Sequence, residues 1–498
     1  MQLAELVAVS GRVRATRARG RKIALIADCL REAAPDELPV AVSYLAGRPR
    51  QGKVAIGWRT LGGLGVDPAS TPSLELLDVD VTIDRLGRIA GAGAQAERRE
   101  VLGDLLGAAT ADEQEFLRGL LLGELRQGAL EGVVAQGLAA AWEIDEPIVR
   151  RALMLSGDLG AVAAAAAAGR ADALQAFGLE LFRPIQPMLA STAKSVEDAV
   201  DDLARCAVEA KLDGARVQVH RVGDDVRVYS RSLREMSAEV PAVAAAVRAL
   251  PVERVILDGE ALGVDVDGRP VAFQDTMRGL GGGMPFFFDC LHTDGADLLD
   301  RPLAERRAAL ERIVPADRLV RRWTVTGVAQ ARAAYAAALA AGHEGVVVKD
   351  LDAPYEAGRR GAAWRKVKPV HTFDLVVLGA EWGSGRRRGW LSNLHLGARD
   401  PDGGFVMLGK TFKGLTDEVL TWQTAKLLEL STRREGHVVH VRPELVVEIA
   451  LDGLVRSPRY PGGVALRFAR VVRYRDDKGA EEADTIEAVR ALHERCGG

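Results

Sequence analysis

The sequence predicts a multidomain fold with a helical first part, an α+β second part and a third part of short β-strands. The chain has 498 residues, which is too long for a single hydrophobic core. The spacing of its apolar residues changes from a helical repeat to a strand repeat close to residue 183. Beyond Pro369 the apolar runs become short and are separated by turn residues. These three observations place two boundaries, near residues 183 and 370.

The first part, residues 1–183, is predicted to be all-α. Apolar residues recur at helical spacing in residues 3–13, 22–33 and 113–134. The last of these stretches also contains regularly spaced glycines, together with Arg118 and Arg126. Such glycines and arginines are typical of a close approach to phosphates, but helix ends closed by glycine are at least as good an explanation.

The second part, residues 184–370, begins where Pro184 and Pro187 end the helical pattern. Short apolar strands with charged ends occur here together with helices predicted over 301–313 and 329–341. The third part, residues 371–498, contains short strands around one helix predicted over 416–430. Short strands with turns and one helix predict a small β-barrel of the oligonucleotide-binding (OB-fold) type.

The composition is that of an ordinary water-soluble protein. Hydrophobic residues make up 48% and charged residues 27%, and the formal net charge is −3, so a basic surface would have to be local. Four scattered cysteines argue against disulfides or a zinc site and suit a reducing cytoplasm. The arginine-rich start lacks the apolar core of a signal peptide, and no apolar run approaches the roughly 20 residues that cross a bilayer. We therefore expect a cytoplasmic protein without membrane contact.

The functional prediction begins at Lys211. The alternation around it predicts a strand, a tight turn at Gly214 and a returning strand, with the lysine at the bend. A lysine of ordinary pKa, about 10.4, is almost fully protonated at neutral pH, so a nucleophilic lysine needs desolvation or nearby cations. Arg216 and Arg231 are the cations expected near it. Taken alone, a solvated polar hairpin explains this stretch better, so function depends on the motifs that follow.

Two lysines near the end of the second part indicate an anionic ligand. Lys366 and Lys368 fall on the same face of a strand predicted over 364–369. Because like charges on one strand face repel, we expect an anionic group in front of them.

Charged motifs follow one another in order between Glu209 and Lys478. They are Glu209-x-Lys211-x-Asp213-Gly214-x-Arg216, Ser230-Arg231, Asp258-Gly259-Glu260, Phe288-Asp289, Glu344-Gly345 with Lys349, Lys366-x-Lys368 and Arg475-x-Asp477-Lys478. This ordered set resembles the motif series of the covalent nucleotidyltransferases, and most closely that of the ATP-dependent DNA ligases. The proline-rich segment 183–190 and the helical part before it are similar to the three-domain DNA ligases of archaea and eukaryotes, which occur also in actinobacteria.

The resemblance implies a reaction in three steps. Lys211 would attack the α-phosphate of ATP, release pyrophosphate and become adenylylated. The AMP would then pass to the 5′-phosphate of a nick in double-stranded DNA, and the 3′-hydroxyl would displace it to seal the strand. Residues 1–183 would be a DNA-binding domain, 184–370 the adenylation (nucleotidyltransferase) domain and 371–498 the OB-fold domain of a monomer.

The resemblance also implies contacts with ATP and Mg²⁺. Glu209 would lie near adenine and Phe288 would stack on it, with Phe286 as the alternative. Arg216 and Arg231 would hold the ribose and the phosphates. The remaining residues implied are Glu260 at the ribose or Mg²⁺, Glu344 at Mg²⁺, and Arg360, Lys366 and Lys368 at the phosphates. Cations and Mg²⁺ suit this reaction because phosphoryl transfer develops negative charge on oxygen atoms.

The last motif, formed by Arg475, Asp477 and Lys478, would lie far from Lys211 unless the barrel rotates over the nucleotide. The resemblance implies such a rotation, which would bring this motif to the pyrophosphate.

Two other functions stay open at this point. An RNA ligase or an RNA-capping guanylyltransferase would use the same lysine chemistry, although the helical first part speaks against both. A non-catalytic DNA-binding clamp would keep the fold, but it would be expected to have lost charged positions, and none of the named positions is missing.

Overall fold

The computed structural model describes residues 1–52, 54, 56–91, 93–125, 127, 131–264, 271, 275–276, 279–358 and 360–495. It divides into two compact units, Met1–Gln186 and Pro187–Gly498. The first unit ends close to the boundary predicted at residue 183, and the second unit includes both later predicted domains. The division at residue 370 stays a prediction. Arg126 and Cys496 lie outside the described residues.

The first unit is built from helices around one hydrophobic core of mainly leucine, valine and alanine side chains. Its helices are α1 (Leu3–Ala15), α2 (Arg19–Glu32), α3 (Leu38–Leu45), α4 (Trp58–Gly62), α5 (Leu76–Arg88), α6 (Ala94–Ala108), α7 (Ala111–Leu122), α8 (Glu131–Ala141), α9 (Glu146–Ser156) and α10 (Leu159–Gln175). Each fully buried Leu or Val contributes about 1.5–3 kcal/mol through the hydrophobic effect, so the core supports these helices. Across the described residues, no helix is both long and apolar enough to span a bilayer.

The helical spacing predicted over 113–134 is interrupted in the structure. Helix α7 ends at Leu122 because Gly123 has a φ of +67°, the left-handed conformation that favours glycine and closes a helix. Arg118 donates hydrogen bonds to the carbonyl oxygens of Leu61 and Leu64, at 2.8 and 3.4 Å. At these positions the structure shows a glycine helix cap and an arginine that holds the fold together.

The second unit combines three sheets and a hairpin with short helices. Its strands before residue 370 are β1 (Leu189–Thr192), β2 (Cys206–Lys211), β3 (Ala215–Val222), β4 (Asp225–Ser230), β5 (Arg254–Leu262), β6 (Met284–Thr293), β7 (Ala296–Asp297), β8 (Arg322–Val325), β9 (Gly345–Asp350) and β10 (Arg360–Val367). The later strands are β11 (His371–Trp382), β12 (Leu391–Arg399), β13 (Phe405–Thr411), β14 (Ser431–Glu435), β15 (Val438–Val441), β16 (Val446–Leu451), β17 (Gly453–Arg456), β18 (Val464–Arg467) and β19 (Arg470–Tyr474). The helices are α11 (Val196–Val200), α12 (Pro241–Arg248), α13 (Leu303–Ile313), α14 (Val328–Ala340), α15 (Asp417–Glu429) and α16 (Ile486–Arg495).

Two five-stranded sheets precede residue 370, with strand orders β1-β10-β9-β2-β8 and β4-β3-β5-β6-β7. The hairpin predicted around Lys211 is wrong, because β2 and β3 belong to different sheets. Strand β2 pairs with β8 and β9, whereas β3 pairs with β4 and β5. The turn passes so close to β5 that a Cβ atom on Gly214 would lie 2.3 Å from the carbonyl oxygen of Ala261. Lys211, the last residue of β2, therefore lies at the junction of the two sheets.

After residue 370 the chain forms a seven-stranded sheet and the hairpin β17-β18. The long strand β11 pairs with β16 through its first half and with β15 through its second half, and β12 pairs with part of it as well. The pairings among the described strands do not close a complete ring. Short strands and one intervening helix are nevertheless the arrangement predicted for an OB-fold. The predicted fold class, with helical, α+β and short-stranded parts in that order, is confirmed.

Candidate active site

A cavity of about 730 Å³ surrounds the end of β2. Its walls come from both five-stranded sheets and from the chain beyond residue 370. Apart from the last motif, the residues that the resemblance implies at ATP and Mg²⁺ all line it: Glu209, Lys211, Arg216, Arg231, Glu260, Phe288, Glu344, Arg360, Lys366 and Lys368. Phe286, the alternative to Phe288, is not among the described residues that line it. The cavity thus brings together motifs that are far apart in the chain.

One carboxylate, Glu344, holds two of the predicted lysines. Lys211 Nζ forms an ion pair with Glu344 Oε2, and Lys368 Nζ forms one with Glu344 Oε1. Strand pairing brings them together, because the backbone N–H of Glu344 donates to the carbonyl oxygen of Lys211 at 3.1 Å. Gly345 follows, where a Cβ atom would lie 2.1 Å from the carbonyl oxygen of Val367. We expected an anionic group in front of Lys366 and Lys368. For Lys368, this group is the carboxylate of Glu344.

Arg216 is fixed by a buried carboxylate. Its Nε and Nη2 atoms donate to Asp258 at 2.9 and 2.6 Å, and the hydroxyl of Tyr355 donates to the same carboxylate at 2.6 Å. Burial lowers the pKa of Arg216, but the charge of Asp258 and its hydrogen bonds, together with the nearby Tyr355 and Glu260, raise this pKa overall. The guanidinium carbon lies 5.0 Å from the ring centre of Phe288. Arg216 is therefore a permanently charged, oriented group in the cavity.

A second buried pair, Lys349 and Glu209, lies beside two aromatic rings. Lys349 Nζ is 2.6 Å from Glu209 Oε2, although not in hydrogen-bond geometry, and it lies 4.4 and 4.1 Å from the ring centres of Phe288 and Trp364. Burial lowers the pKa of Lys349. Within the described residues, Glu209 Oε1 also has no hydrogen-bond partner. A flat ligand that offers both a donor and an acceptor, such as a purine base, would satisfy these groups.

The sequence assigned no role to Lys349. In the sequence, Lys349 is the charged end of the Glu344 motif. A lysine at the end of a strand is usually solvated, so its sequence position alone indicates no role. Its burial arises from the pairing of β9 with both β2 and β10, which places Lys349 opposite Ala207 and Trp364. A long-range pairing of this kind is the signal that sequence analysis lacked.

Glu260 stands close to the turn after Lys211. The backbone N–H of Gly214 donates to Glu260 Oε1 at 3.3 Å. Burial raises the pKa of Glu260 to about 7, while the charges of Arg216 and Lys211 oppose this shift. The carboxyl group therefore changes its charge close to neutral pH.

Four cations line the cavity without a carboxylate partner among the described residues: Arg231, Arg360, Lys366 and Lys413. Burial lowers the pKa of Lys366, and the nearby charges of Lys368 and Arg360 lower it further. Several cations that face one cavity repel each other, so their arrangement favours a ligand with several negative charges.

Residues from beyond position 370 complete the cavity, and the sequence missed them. They are Lys413, Asp452, Arg467 and Phe468. Arg467 donates two hydrogen bonds to Asp213, at 2.5 and 2.9 Å, and Asp452 lies 3.3 Å from Lys368. Arg467 lies in a basic stretch, residues 466–478, that ends in the last motif, and no role was predicted for it.

The last motif itself lies elsewhere. Arg475 and Lys478 donate to the carboxylate of Asp374 at 2.8 and 2.6 Å, and Arg475 also pairs with Asp477. None of these residues is among the described residues that line the cavity. Their role at pyrophosphate stays a prediction.

The carboxylates fit Mg²⁺ that is shared with a phosphate ligand. Glu260 and Glu344 line the same cavity as the four cations. The described residues contain no group of three or more ligands that forms a metal site. Mg²⁺ usually binds one or two carboxylates and completes its shell with water and substrate phosphates, so two carboxylates are a sufficient set.

The cavity combines Lys211, two aromatic rings beside a donor and an acceptor that are unpartnered among the described residues, and several cations. These features suit a purine nucleotide that carries several phosphates. The class of protein that this fold and site indicate is a covalent nucleotidyltransferase.

Comparisons with known proteins agree with this class. Family models match residues 187–368 (ATP dependent DNA ligase domain), 387–478 (ATP dependent DNA ligase C terminal region) and 64–139 (DNA ligase N terminus). A probable DNA ligase of Nocardioides sp. is 56% identical over 506 residues, with 98% of each chain covered, and one of Rhodococcus jostii is 54% identical with 99% of each covered. The chain belongs to the ATP-dependent DNA ligases.

A solved structure supports the fold. The structure titled Pmar-Lig_PreS3 superposes with a TM-score of 0.63 at 18% sequence identity and covers 94% of this chain and 99% of its own. At this identity the similarity concerns the fold alone.

Proposed function

We propose that the protein seals nicks in double-stranded DNA with ATP, through a lysyl-AMP intermediate at Lys211 and a 5′-adenylylated DNA intermediate. One observation carries the proposal: the ten residues that the resemblance implies at ATP and Mg²⁺, Lys211 among them, line one cavity. Membership of the family supports the choice of ATP and of nicked DNA as substrates.

In the first step, the neutral amine of Lys211 attacks the α-phosphorus of ATP. A phosphorus–nitrogen bond forms, and the bond to the leaving pyrophosphate breaks. The amine must first lose a proton, and Glu344 is the carboxylate in contact with it. Arg360, Lys366 and Lys368 would stabilise the charge that develops on the phosphate oxygens.

The base and sugar of ATP would occupy the other end of the cavity. Phe288 would stack on adenine, because it lines the cavity and Phe286 does not. Glu209 would accept a hydrogen bond from the adenine amino group through its unpartnered oxygen. Arg216 and Arg231 would contact the ribose and phosphates, and the position of Arg216 is set by Asp258.

Mg²⁺ would be held by Glu260 and Glu344 together with the phosphates of ATP. Bound there, it would supply positive charge to the reacting phosphate oxygens. We place the enzyme in the cytoplasm and at the nucleoid, where its DNA substrate is, and we expect it to act as a monomer.

Each of the three proposed domains would have its own role in the reaction. Residues 1–183 would hold the duplex through contacts with its backbone, residues 184–370 would carry out adenylylation, and residues 371–498 would form the OB-fold domain. Largely sequence-neutral phosphate contacts suit an enzyme that must act on nicks in any sequence.

The decisive experiment uses the purified full-length protein and its Lys211→Ala variant. With ATP and Mg²⁺, the wild-type protein should gain the mass of one AMP and should seal a nicked DNA duplex, whereas the variant should do neither. Unchanged circular dichroism and thermal unfolding would show that the variant is folded. Chelation of Mg²⁺ should stop the wild-type reaction.

The competing functions have distinct outcomes. Labelling by GTP in preference to ATP, or sealing of RNA but not DNA, would favour an RNA ligase or a capping enzyme. A wild-type protein that binds nicked DNA but never gains AMP would be a clamp. An adduct that persists in Lys211→Ala would remove this lysine from the mechanism.

A further inference from the structure

The loop between β9 and β10 places a buried tyrosine, Tyr355, behind the cavity. Its relative exposure is 3%, and it is not among the described residues that line the cavity. The backbone N–H of Tyr355 donates to the carbonyl oxygen of Leu299 at 2.9 Å. The buried Arg306 donates to the carbonyl oxygen of Ala353, in the same loop, at 3.0 Å. Tyr355 is therefore held in a fixed position, although it belongs to no strand.

The hydroxyl group of Tyr355 connects two distant parts of the chain. It accepts a hydrogen bond from the backbone N–H of Met188 at 3.0 Å and donates one to Asp258 Oδ2 at 2.6 Å. Burial and the charge of Asp258 raise the pKa of Tyr355, so the hydroxyl keeps the proton that it donates. Phenylalanine at this position would remove both hydrogen bonds from a buried region.

The carboxylate of Asp258 is shared between Tyr355 and Arg216. It is fully buried and accepts from Nε of Arg216 through Oδ1 at 2.9 Å and from Nη2 through Oδ2 at 2.6 Å. A bidentate pair of this kind needs the carboxylate and the guanidinium in one plane. The torsion that rotates an aspartate carboxylate has only a broad intrinsic preference, so its partners set the plane. Without the tyrosine hydroxyl, one of these partners is lost and Arg216 is less firmly oriented.

The ring of Tyr355 makes a separate contact with the cavity wall. It meets the ring of Trp364 edge to face, with the ring centres 5.9 Å apart and an angle of 87° between the rings. Trp364 lines the cavity, and its ring centre lies 5.9 Å from that of Phe288. Phenylalanine in place of Tyr355 would keep this aromatic contact. The substitution Tyr355→Phe therefore removes the hydroxyl alone.

We propose that Tyr355 is a positioning residue for ATP, whose hydroxyl fixes the carboxylate of Asp258 and thereby holds Arg216 in the orientation that contacts the nucleotide. The inference rests on the proposed use of ATP at Lys211. It extends the nucleotide site to a residue that no motif in the sequence includes and that acts on the nucleotide only through its neighbours.

The test compares Tyr355→Phe with two controls in the full-length protein. Tyr335→Phe removes the hydroxyl of a partly buried tyrosine that is not among the described residues lining the cavity. Arg221→Lys disturbs buried hydrogen bonds to the carbonyl oxygens of Val247 and Leu250, at 2.9 and 2.8 Å, and so matches a loss of stability without touching the cavity. Urea unfolding measures the stability of each variant.

Two measurements report on the nucleotide site. Calorimetry measures binding of α,β-methylene ATP, in which a methylene group between the α- and β-phosphates prevents AMP transfer. Self-adenylylation is followed over a series of ATP concentrations, which gives a maximal rate and a half-saturating ATP concentration.

We expect Tyr355→Phe to bind the analogue about tenfold more weakly and to need about tenfold more ATP for half-saturation, because a poorly oriented Arg216 loses a charge-assisted contact. The maximal rate should stay within about twofold of wild type, since this contact is already present before the phosphorus–nitrogen bond forms. Both controls should bind the analogue like wild type, whatever their stability.

A double variant shows whether Tyr355 acts through Arg216. Arg216→Lys keeps a positive charge but cannot form the bidentate pair with Asp258. In this background, Tyr355→Phe should weaken binding of the analogue by less than about twofold more. A further tenfold loss would show that Tyr355 acts independently of Arg216 and would overturn the inference.

Three other results would also overturn it. The first is an unchanged affinity and half-saturation in Tyr355→Phe. The second is a lower maximal rate at unchanged half-saturation, which would assign the hydroxyl to the fold alone. The third is equal weakening by either control. Failure of the proposed function would look different: the wild-type protein would never gain AMP from ATP, while the comparison of analogue binding would still decide the role of Tyr355.

Discussion

The buried ion pair between Lys349 and Glu209 makes Lys349→Met an informative substitution. The two side chains have relative exposures of only 3% and 2%. Methionine keeps much of the length of the lysine but removes its charge, which leaves the carboxylate of Glu209 buried without its partner. Removal of one member of such a pair typically costs about 3–5 kcal/mol of folding free energy. Because Lys349 Nζ lacks hydrogen-bond geometry to Glu209, we expect the lower end, about 3 kcal/mol.

The same substitution should impair the use of ATP. If Lys349 donates a hydrogen bond to the purine, loss of a charged donor costs about 1.5–3 kcal/mol, or roughly 10- to 150-fold in kcat/KM for self-adenylylation. The matched control is the double variant Glu209→Gln with Lys349→Met, which removes both charges. Its free energy of unfolding should return to within about 1–2 kcal/mol of wild type, since no buried charge is left alone. Its use of ATP should stay impaired.

Urea unfolding and a mass-based assay of AMP transfer measure these two effects separately. The reasoning is refuted if Lys349→Met unfolds at the same urea concentration as wild type. It is also refuted if the double variant is less stable than Lys349→Met, because the two charges would then not depend on each other. Recovery of ATP use in the double variant would mean that Lys349 acts only by neutralising Glu209.

Three further predictions concern other parts of the chain. Removal of residues 1–183 should weaken binding of a nicked duplex by tenfold or more in a gel-shift assay while self-adenylylation changes little, and equal loss of both would contradict a DNA-holding role. Burial raises the pKa of Glu260 from 4.5 to about 7, so the folded protein holds this proton more tightly than the unfolded chain, and stability falls as pH rises through this interval. Glu260→Gln should therefore be more stable than wild type near pH 8 and about as stable as wild type near pH 5, as measured by urea unfolding. A variant that is less stable than wild type near pH 8 would show that the folded protein stabilises the charged carboxylate. Asp213→Arg and Arg467→Asp should each slow nick sealing by about tenfold, because each breaks a bidentate pair, and the double variant should recover part of the loss; additive losses would contradict a direct interaction.

The helical periodicity and the ordered motifs were the parts of the molecule that the sequence could predict. Periodicity reports which side of a helix is buried, and it placed α1 and α2 correctly within a few residues. The motif residues could be named because phosphoryl transfer requires cations and carboxylates around its nucleophile. Their common cavity followed from the resemblance to a known family, since nothing local connects Lys211 with Lys366.

Other features depend on contacts between distant segments, which no local pattern contains. The turn after Lys211 has the sequence of a hairpin, but the two strands that flank it, β2 and β3, pair with strands of different sheets. Lys349 has the sequence of a solvated strand end and is buried by β2 and β10. The last part of the chain contacts the cavity through pairs such as that between Asp213 and Arg467, which are 254 residues apart.

The position of Lys211 between two sheets explains how one lysine can lie close to charged side chains from several strands. A hairpin would present Lys211 only to the residues of its own two strands. At a junction, β2 brings Glu209 and Lys211, β3 brings Arg216, and the start of β9 brings Glu344, each on a backbone fixed by its own sheet. Like charges held in this way cannot move apart, so their repulsion is relieved only by carboxylates such as Glu344 or by a polyanionic ligand. The split of one predicted hairpin into two sheets is thus the structural condition for the chemistry proposed at Lys211.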